Sequence, residues 1–330
     1  MLLAVLTAVP QRGRANPIEV NVPVEDILAI LRTNLTDAST VEMNTAAVLG
    51  LLGRYKGRVD LVDPAKEKKS LIPLLGKSQL FNDDFAYLRI QRVDKGLADS
   101  LQKELKRLKP DGKIGGWLVD LRYATGMNYE AALELADRFI SAERIQMMLG
   151  KQALSSSAKT NAFSGPVTIL VNHQTSGAAE ILAALLRRNN VGLVIGNATA
   201  GEARIFSEFE ISGDLRLRVS TDTVRMPDGQ PFSDKGVKPD IAVKVGSGDE
   251  KIYYRDAFSL IPLNRLQSSR VGGNQRITEA DLVRQLRLKL DPDATIAAAP
   301  LLAKHPIVRD PVLARALDLL RGLKIVGPLK

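Results

Sequence analysis

The sequence predicts an α/β protein, with a core of buried strands and crossing helices at about residues 85 to 245, a helical lead-in before it and a helical, basic tail after it. Three observations carry this. Short, predominantly apolar runs, at Phe85 to Ile90, Gly116 to Leu121, Val167 to Val171 and Val191 to Ile195, read as buried strands. Segments with helical spacing of apolar residues separate them, which predicts β-α-β units with right-handed parallel crossovers. Outside the core, apolar residues recur at helical intervals in residues 22–62 and again after residue 246.

Composition narrows the function classes. At 330 residues, 45% apolar and 25% charged, the chain has enough material for a sizeable core and no long low-complexity tract. The formal charge of +9 raises the question of nucleic acid, but the basic residues are scattered, aromatic content is only 5%, and no nucleic-acid motif accompanies them, so no nucleic-acid partner is expected. The absence of cysteine excludes thiol catalysis, disulfides and thiolate metal sites, and with only His173 and His305 a histidine-rich metal site is excluded too. No metal and no cofactor are expected. The opening MLLAVLTAV resembles an apolar signal core but lacks a preceding basic residue, so residues 1–21 are read as a signal remnant or disordered segment of a soluble protein that is periplasmic or otherwise exported. No run approaches the roughly 20 apolar residues of a membrane span.

In order, helices are expected over Val24 to Leu35 and Val41 to Tyr55, with cap residues at Asp37, Ser39 and Thr40. Residues 63–84 are read as a linker and 85–245 as the core. The core opens with the strand Phe85 to Ile90, a basic amphipathic helix from Gly96 to Leu108, a turn at Pro110 to Gly112 and the strand Gly116 to Leu121. A helix from Tyr129 to Phe139, extending toward Leu149, follows, and then a polar, serine-rich loop or flap over Gln152 to Ser164. After the central unit, Ile205 to Ile211 and Leu215 to Thr221 alternate as antiparallel strands, and Gly236 to Val243 closes the core. Residues 246–330 are read as helical through DLVRQLRLKL and DPVLARALDLLRGL, with Asp310 and Pro311 starting the last helix.

The stretch from Val167 to Ala203 organises the rest. A buried strand ends in the polar turn Asn172, His173, Gln174, Thr175; a helix begins there with Thr175 or Ser176 as N-cap and Glu180 in its opening turns; Asn189 and Asn190 end it. A second strand then leads into a glycine turn from Gly196 to Gly201. Such an elbow sits at the carboxyl edge of a sheet, where a helix N-terminus offers unpaired N–H groups to an anion.

This stretch resembles the tail-specific proteases, or C-terminal processing peptidases, serine peptidases with a Ser-Lys dyad. The match runs without a gap through Asn172, Thr175, Ala178, Glu180, Gly196, Thr199 and Gly201, and upstream Asp120, Leu121, Arg122 and Gly126 match the family's oxyanion-hole segment. The resemblance implies a ClpP/crotonase-like core, peptide or protein substrates, and an oxyanion hole from the N–H groups of Gly126, Gly177 and Ala178. It also places the nucleophile at Gly177 and the general base at Glu202, 25 residues apart as in the family; the family's orienting Asp falls on Arg188. The family's PDZ module has no room in the 22 residues of 63–84.

Glycine has no nucleophile, and a carboxylate with an ordinary pKa near 4 is a poor base facing a developing oxyanion. The reading is therefore a divergent family member that binds extended peptide in the ancestral cleft and hydrolyses weakly or not at all. Restoring Ser at 177 and Lys at 202 together is expected to raise cleavage. Two alternatives stand beside it. Ser176 is a candidate nucleophile, with Glu202, His173 or a lysine such as Lys235 or Lys238 as rearranged base; its bland reading is a helix cap. Or the fold serves as a non-peptidase module for a small apolar ligand. Oligomeric state is left open.

Overall fold

The computed structural model describes residues 22–35, 37–64, 72–110, 112–211, 213–259 and 308–326. The readings of a signal remnant at 1–21, of the helical DLVRQLRLKL segment and of His305 lie outside these residues. The chain divides into two compact units, residues 1–61 and 62–330.

The first unit holds α1 (Val24–Asn34) and α2 (Thr40–Arg54). The second helix starts at a capping box: Glu42 N–H donates to Ser39 Oγ at 3.2 Å, and Ser39 N–H donates to the Glu42 carboxylate at 2.8 Å. Four residues on comes the short strand β1 (Val59–Val62), at the division between the units.

In the second unit, β2 (Leu75–Phe81) runs antiparallel to β3 (Phe85–Ile90) through a turn in which Asn82 and Asp83 take positive φ. This edge strand occupies much of the stretch read as linker. Its sequence, LGKSQLF, alternates too weakly to announce a strand, and its place is set by pairing with the fully buried β3. After β4 (Arg92–Val93), α3 (Leu97–Leu108) crosses to β5 (Gly116–Asp120). The loop that follows contains β6 (Thr125–Gly126), paired with β4, and leads to α4 (Tyr129–Asp137).

The expected extension of that helix toward Leu149 and the flap at 152–164 are replaced by a hairpin, β7 (Arg144–Leu149) with β8 (Gln152–Ser156). Its turn is at Gly150, whose φ of 58° is a conformation glycine adopts without penalty, so the chain reverses where the apolar run suggested continuation. The hairpin is anchored by Ser156, whose hydroxyl donates to Ala142 O and accepts from the Gln146 side chain.

The central unit follows as β9 (Val167–Val171), α5 (Ala178–Arg188) and β10 (Gly192–Gly196), then the antiparallel β11 (Arg204–Glu210) and β12 (Arg216–Thr223), the short β13 (Ile241–Ala242), α6 (Ser247–Arg255) and α7 (Pro311–Val326). The main sheet has the order β13-β10-β9-β5-β3-β2, all parallel except β2.

Alternate residues of each strand face opposite layers. Leu88, Val119, Ile169 and Val194 pack beneath α3, α4 and α5, whereas Tyr87, Leu118, Leu170 and Ile195 pack against Val312, Leu313, Ala316 and Leu320 of α7. The result is a two-faced α/β core. The parallel strands end together at one edge, and the loops after β5, β9 and β10 meet there.

Candidate active site

The loops meet at the elbow after β9, and side chains of the Asn172 to Thr175 turn shape it. Asn172 Oδ1 accepts from Tyr123 N–H and from Gln174 N–H, both at 3.1 Å. Thr175 Oγ1 donates to Leu121 O at 2.8 Å and accepts from Asn172 N–H at 3.0 Å. Ser176 N–H donates to Ala124 O at 3.0 Å. The elbow is thereby stitched to the loop after β5 at three successive points.

Gly177 follows with φ 61° and ψ −125°, a backbone shape that L side chains rarely take. A sharp strand-to-helix turn can present a nucleophile; here glycine takes that backbone shape without strain and offers no side chain. Gly177, and neither Thr175 nor Ser176, is the N-cap of α5. The cap fell one or two residues beyond the expected position because Glu180, three residues on, reaches back to Gly177 N–H at 3.0 Å. Ser176 is half-buried and its hydroxyl has no hydrogen-bond partner among the described residues, so the capping role read for it does not hold.

Glu180 is the node of the site. It is fully buried, and its carboxylate accepts four hydrogen bonds: Oε1 from Thr199 Oγ1 and from Gly201 N–H, Oε2 from Gly177 N–H and from Glu202 N–H. One carboxylate thus clamps the elbow to the glycine turn after β10. Thr199 continues the connection, its Oγ1 accepting from Val237 N–H at 2.8 Å. Every residue of the elbow motif just named is used as a hydrogen-bonding strut.

Gly126, Ser176, Gly177 and Glu202, distant in sequence, are brought together, and their arrangement differs from a working site in three respects. The Gly177 N–H, expected in the oxyanion hole, is already given to Glu180. The Gly126 carbonyl oxygen points at Gly177 so closely that a β-carbon there would lie 2.2 Å from it. Gly126 in turn is wedged against Val93, whose carbonyl oxygen would be 2.3 Å from a Gly126 β-carbon. The Glu202 side chain is exposed to solvent, as is His173. Lys238 lies in a groove at the far end of α5.

Behind this edge lies a buried charged cluster whose partners sequence reasoning did not bring together. Arg122 is fully buried and bonds Asp120 through Nε at 3.0 Å and Nη2 at 2.8 Å, with Asp310 Oδ2 2.7 Å from Nη1 but out of line for a hydrogen bond. Burial pushes the Asp120 carboxyl up, and the Arg122 guanidinium, with Arg89 and Tyr87, brings it below its ordinary value. Beside it, Arg89 lies 4.0 Å over the Tyr254 ring, Tyr254 meets Tyr123, and the Tyr123 hydroxyl donates to Glu250 at 3.3 Å. Burial raises the Glu250 carboxyl, against the opposing pull of Asn172, Arg122, His173 and Tyr123. Arg122 was legible as a motif match. Glu250 carried no local signal, lying 127 residues from its tyrosine partner.

A parallel sheet with its elbow, glycine turn and carboxylate clamp at one edge defines the class: an α/β core of the serine-peptidase type built on a strand-elbow-helix unit. The model for Peptidase family S41 matches residues 84–243, and this core belongs to that family, the tail-specific or C-terminal processing peptidases. Among curated relatives, the chain is 25% identical to the chloroplastic carboxyl-terminal-processing peptidase 2 of Arabidopsis thaliana over 54% of this chain and 35% of that protein. It is 24% identical to the carboxy-terminal processing protease CtpA of Bacillus subtilis over 71% of this chain and 48% of that protein. Among solved structures, the photosystem II D1 C-terminal processing protease superimposes with a TM-score of 0.45 at 20% identity, over 54% of this chain and 50% of that one. The chain spans less than half the length of these two curated relatives. No helix among the described residues is long and apolar enough to cross a membrane.

Proposed function

We propose that the protein binds extended peptide or protein segments in the cleft at the elbow and hydrolyses them weakly or not at all. The observation that carries this reading is the occupancy of the Gly177 position. It has no nucleophile, its amide is bonded to Glu180, and the Gly126 carbonyl fills the space in which a serine side chain would begin. A carbonyl oxygen turned toward a developing oxyanion repels it, so the loop that would supply a donor supplies an acceptor. The exposed Glu202 brings negative charge to the position from which a base would act. The hydrogen-bonded struts at Asn172, Thr175, Glu180 and Thr199 support a cleft that is held in shape while it lacks reactive groups.

The test pairs binding with chemistry: unfolded casein and a set of extended peptides are assayed for binding by anisotropy and for cleavage by mass spectrometry. Binding without turnover is the expected result. Turnover at an ordinary enzymatic rate would overturn the reading.

One observation favours a second reading, in which Ser176 acts as nucleophile: its hydroxyl is not used as a helix cap. Labelling by a fluorophosphonate probe mapped to Ser176, and lost in Ser176→Ala, would establish it.

A further inference from the structure

A groove of about 1560 Å³ lies at the end of α5 remote from the elbow. Val167, Val191, Leu193, Met226 and Phe232 give it an apolar floor, and Arg187, Arg188, Lys238 and Lys324 stand around it. Asp240 is the one carboxylate among the lining residues, and it is in use: it pairs with Arg187 at 2.7 Å and accepts from Val194 N–H at 2.9 Å. Lys324 pairs with Asp84. Arg188 reaches only the Met226 sulfur, at 3.7 Å, and Lys238 is exposed. The groove therefore presents two cations with no carboxylate partner among the described residues.

The groove also exposes an end of the sheet. β13 pairs with β10 only at Ile195 and Gly196, and one step earlier Asp240 takes the place of a strand, its N–H donating to Val194 O at 2.8 Å and its carboxylate accepting from Val194 N–H. Backbone groups along a strand face alternate edges, so those of Gly192 face the same side as those of Val194. No described residue pairs with them there. Gly192 carries no side chain because the Val167 backbone of β9 comes close there, 2.6 Å from where its β-carbon would lie, and its own amide and carbonyl face the open edge.

We propose that this groove binds an extended acidic peptide, which adds a short strand to β10 at Gly192 and sets its carboxylates against Arg188 and Lys238. An exposed sheet edge supplies main-chain hydrogen bonds, and flanking pockets and charges select the sequence. The site is separate from the elbow cleft and does not depend on any reading of its chemistry. Charge decides between occupants: the chain's own segment 260–307 holds seven Lys and Arg against four Asp and Glu, the same sign as the rim. A hydrophobic floor alone would suit an apolar ligand as well, but the unpaired cations and the free backbone edge together fit a peptide carboxylate.

The probe is a fluorescein-labelled peptide alternating valine with aspartate and glutamate, compared by anisotropy with the same peptide carrying lysine in the acidic positions. The acidic peptide is expected to bind and the basic one not. Arg188→Glu with Lys238→Glu, two exposed positions, should weaken binding at least about tenfold, with added salt acting in the same direction. Ser176→Ala at the elbow should leave it unchanged. Hydrogen exchange at the Gly192 amide should slow in the complex. Equal binding of both peptides, insensitivity to the charge reversals, or an unprotected Gly192 amide would each overturn the proposal. Loss of binding in Ser176→Ala with none in the charge reversals would move the peptide to the elbow cleft. Circular dichroism of the reversed variant, with the single Lys238→Ala as a milder second variant, separates lost binding from lost fold.

Discussion

The carbonyl oxygen of Gly126 stands 2.2 Å from the point where a β-carbon on Gly177 would lie. Serine at 177 must therefore push the Gly126 loop, and Gly126 is itself backed by the Val93 carbonyl. Overpacking of this kind costs about 1–3 kcal/mol, and a non-glycine residue at φ 61° adds roughly 1–2 kcal/mol. Gly177→Ser is expected to lower the melting temperature by several degrees, read by calorimetry. The gain in cleavage expected from the sequence for Gly177→Ser with Glu202→Lys is accordingly revised: the pair should stay unreactive, since the new hydroxyl would face an acceptor. Fluorophosphonate labelling of Ser at 177 in that double variant would refute this.

Glu180 holds the elbow and the glycine turn together through four donors and has no cation against it among the described residues. Glutamine can keep one oxygen's pair of acceptor positions, but its amide nitrogen must then face either the two N–H groups of Gly177 and Glu202 or the Gly201 N–H and the Thr199 hydroxyl. Leaving buried donors unsatisfied costs about 1–3 kcal/mol each, so Glu180→Gln should destabilise by roughly 3 kcal/mol. Chemical denaturation measures the loss, and faster hydrogen exchange at Gly201 and Glu202 would show that the turn is what comes loose. An unchanged midpoint would mean that the clamp contributes nothing.

The main sheet was legible because Val167–Val171 and its neighbours are apolar runs between turn residues, a pattern that few alternatives produce. The β7–β8 hairpin was not, since Ile145 to Leu149 lacks both helical spacing and strict alternation, and only Gly150 marks the reversal. At the site, spacing identified which residues converge, because register along a motif survives without geometry. What it could not show was the direction of a peptide plane. Whether Gly126 turns its N–H or its carbonyl toward Gly177 depends on packing against Val93, 33 residues earlier in the chain, and no residue type announces it.

Glu250 gives a pH signature. Its carboxyl is raised by burial, so the folded state holds the proton more tightly than the unfolded state. Stability from this group is greatest below the ordinary glutamate value of 4.5 and falls as pH rises through the folded value. Glu250→Gln removes the ionisation and should be more stable than the natural protein at neutral pH, with the advantage vanishing as pH drops below about 4.5. Thermal melts of both proteins across that range are the check. A constant difference at all pH values would show that the carboxylate is not the cause.

The Arg122 pair with Asp310 ties α7 to the sheet edge beside the elbow. Asp310 does two things: its Oδ1 accepts from the N–H groups of Val312 and Leu313, capping α7, and its Oδ2 lies 2.7 Å from Arg122 Nη1. Removing a cap costs about 0.5–2 kcal/mol. Stranding a buried charge costs about 3–5 kcal/mol, but Arg122 keeps Asp120 when Asp310 is removed, so the loss of this partner falls below that range. Asp310→Ala should therefore destabilise by roughly 2–4 kcal/mol, with the lost cap and the lost partner of Arg122 both contributing. Asp310→Ser keeps a capping oxygen but not the charge, and should recover only the cap's share. Arg122 also holds Asp120, whose depressed carboxyl contributes stability above the ordinary aspartate value of 3.8 that is lost as pH falls below it. Arg122→Met alone would leave Asp310 buried without a cation and Asp120 with only Tyr87 and Arg89, whereas Arg122→Met with Asp310→Ser removes the unpaired Asp310 and leaves Asp120 with the same two neighbours. The double variant is thus expected to be more stable than Arg122→Met. Additive losses in this cycle, measured by urea denaturation, would show that the two residues do not act on each other, and that α7 is held by its apolar face alone.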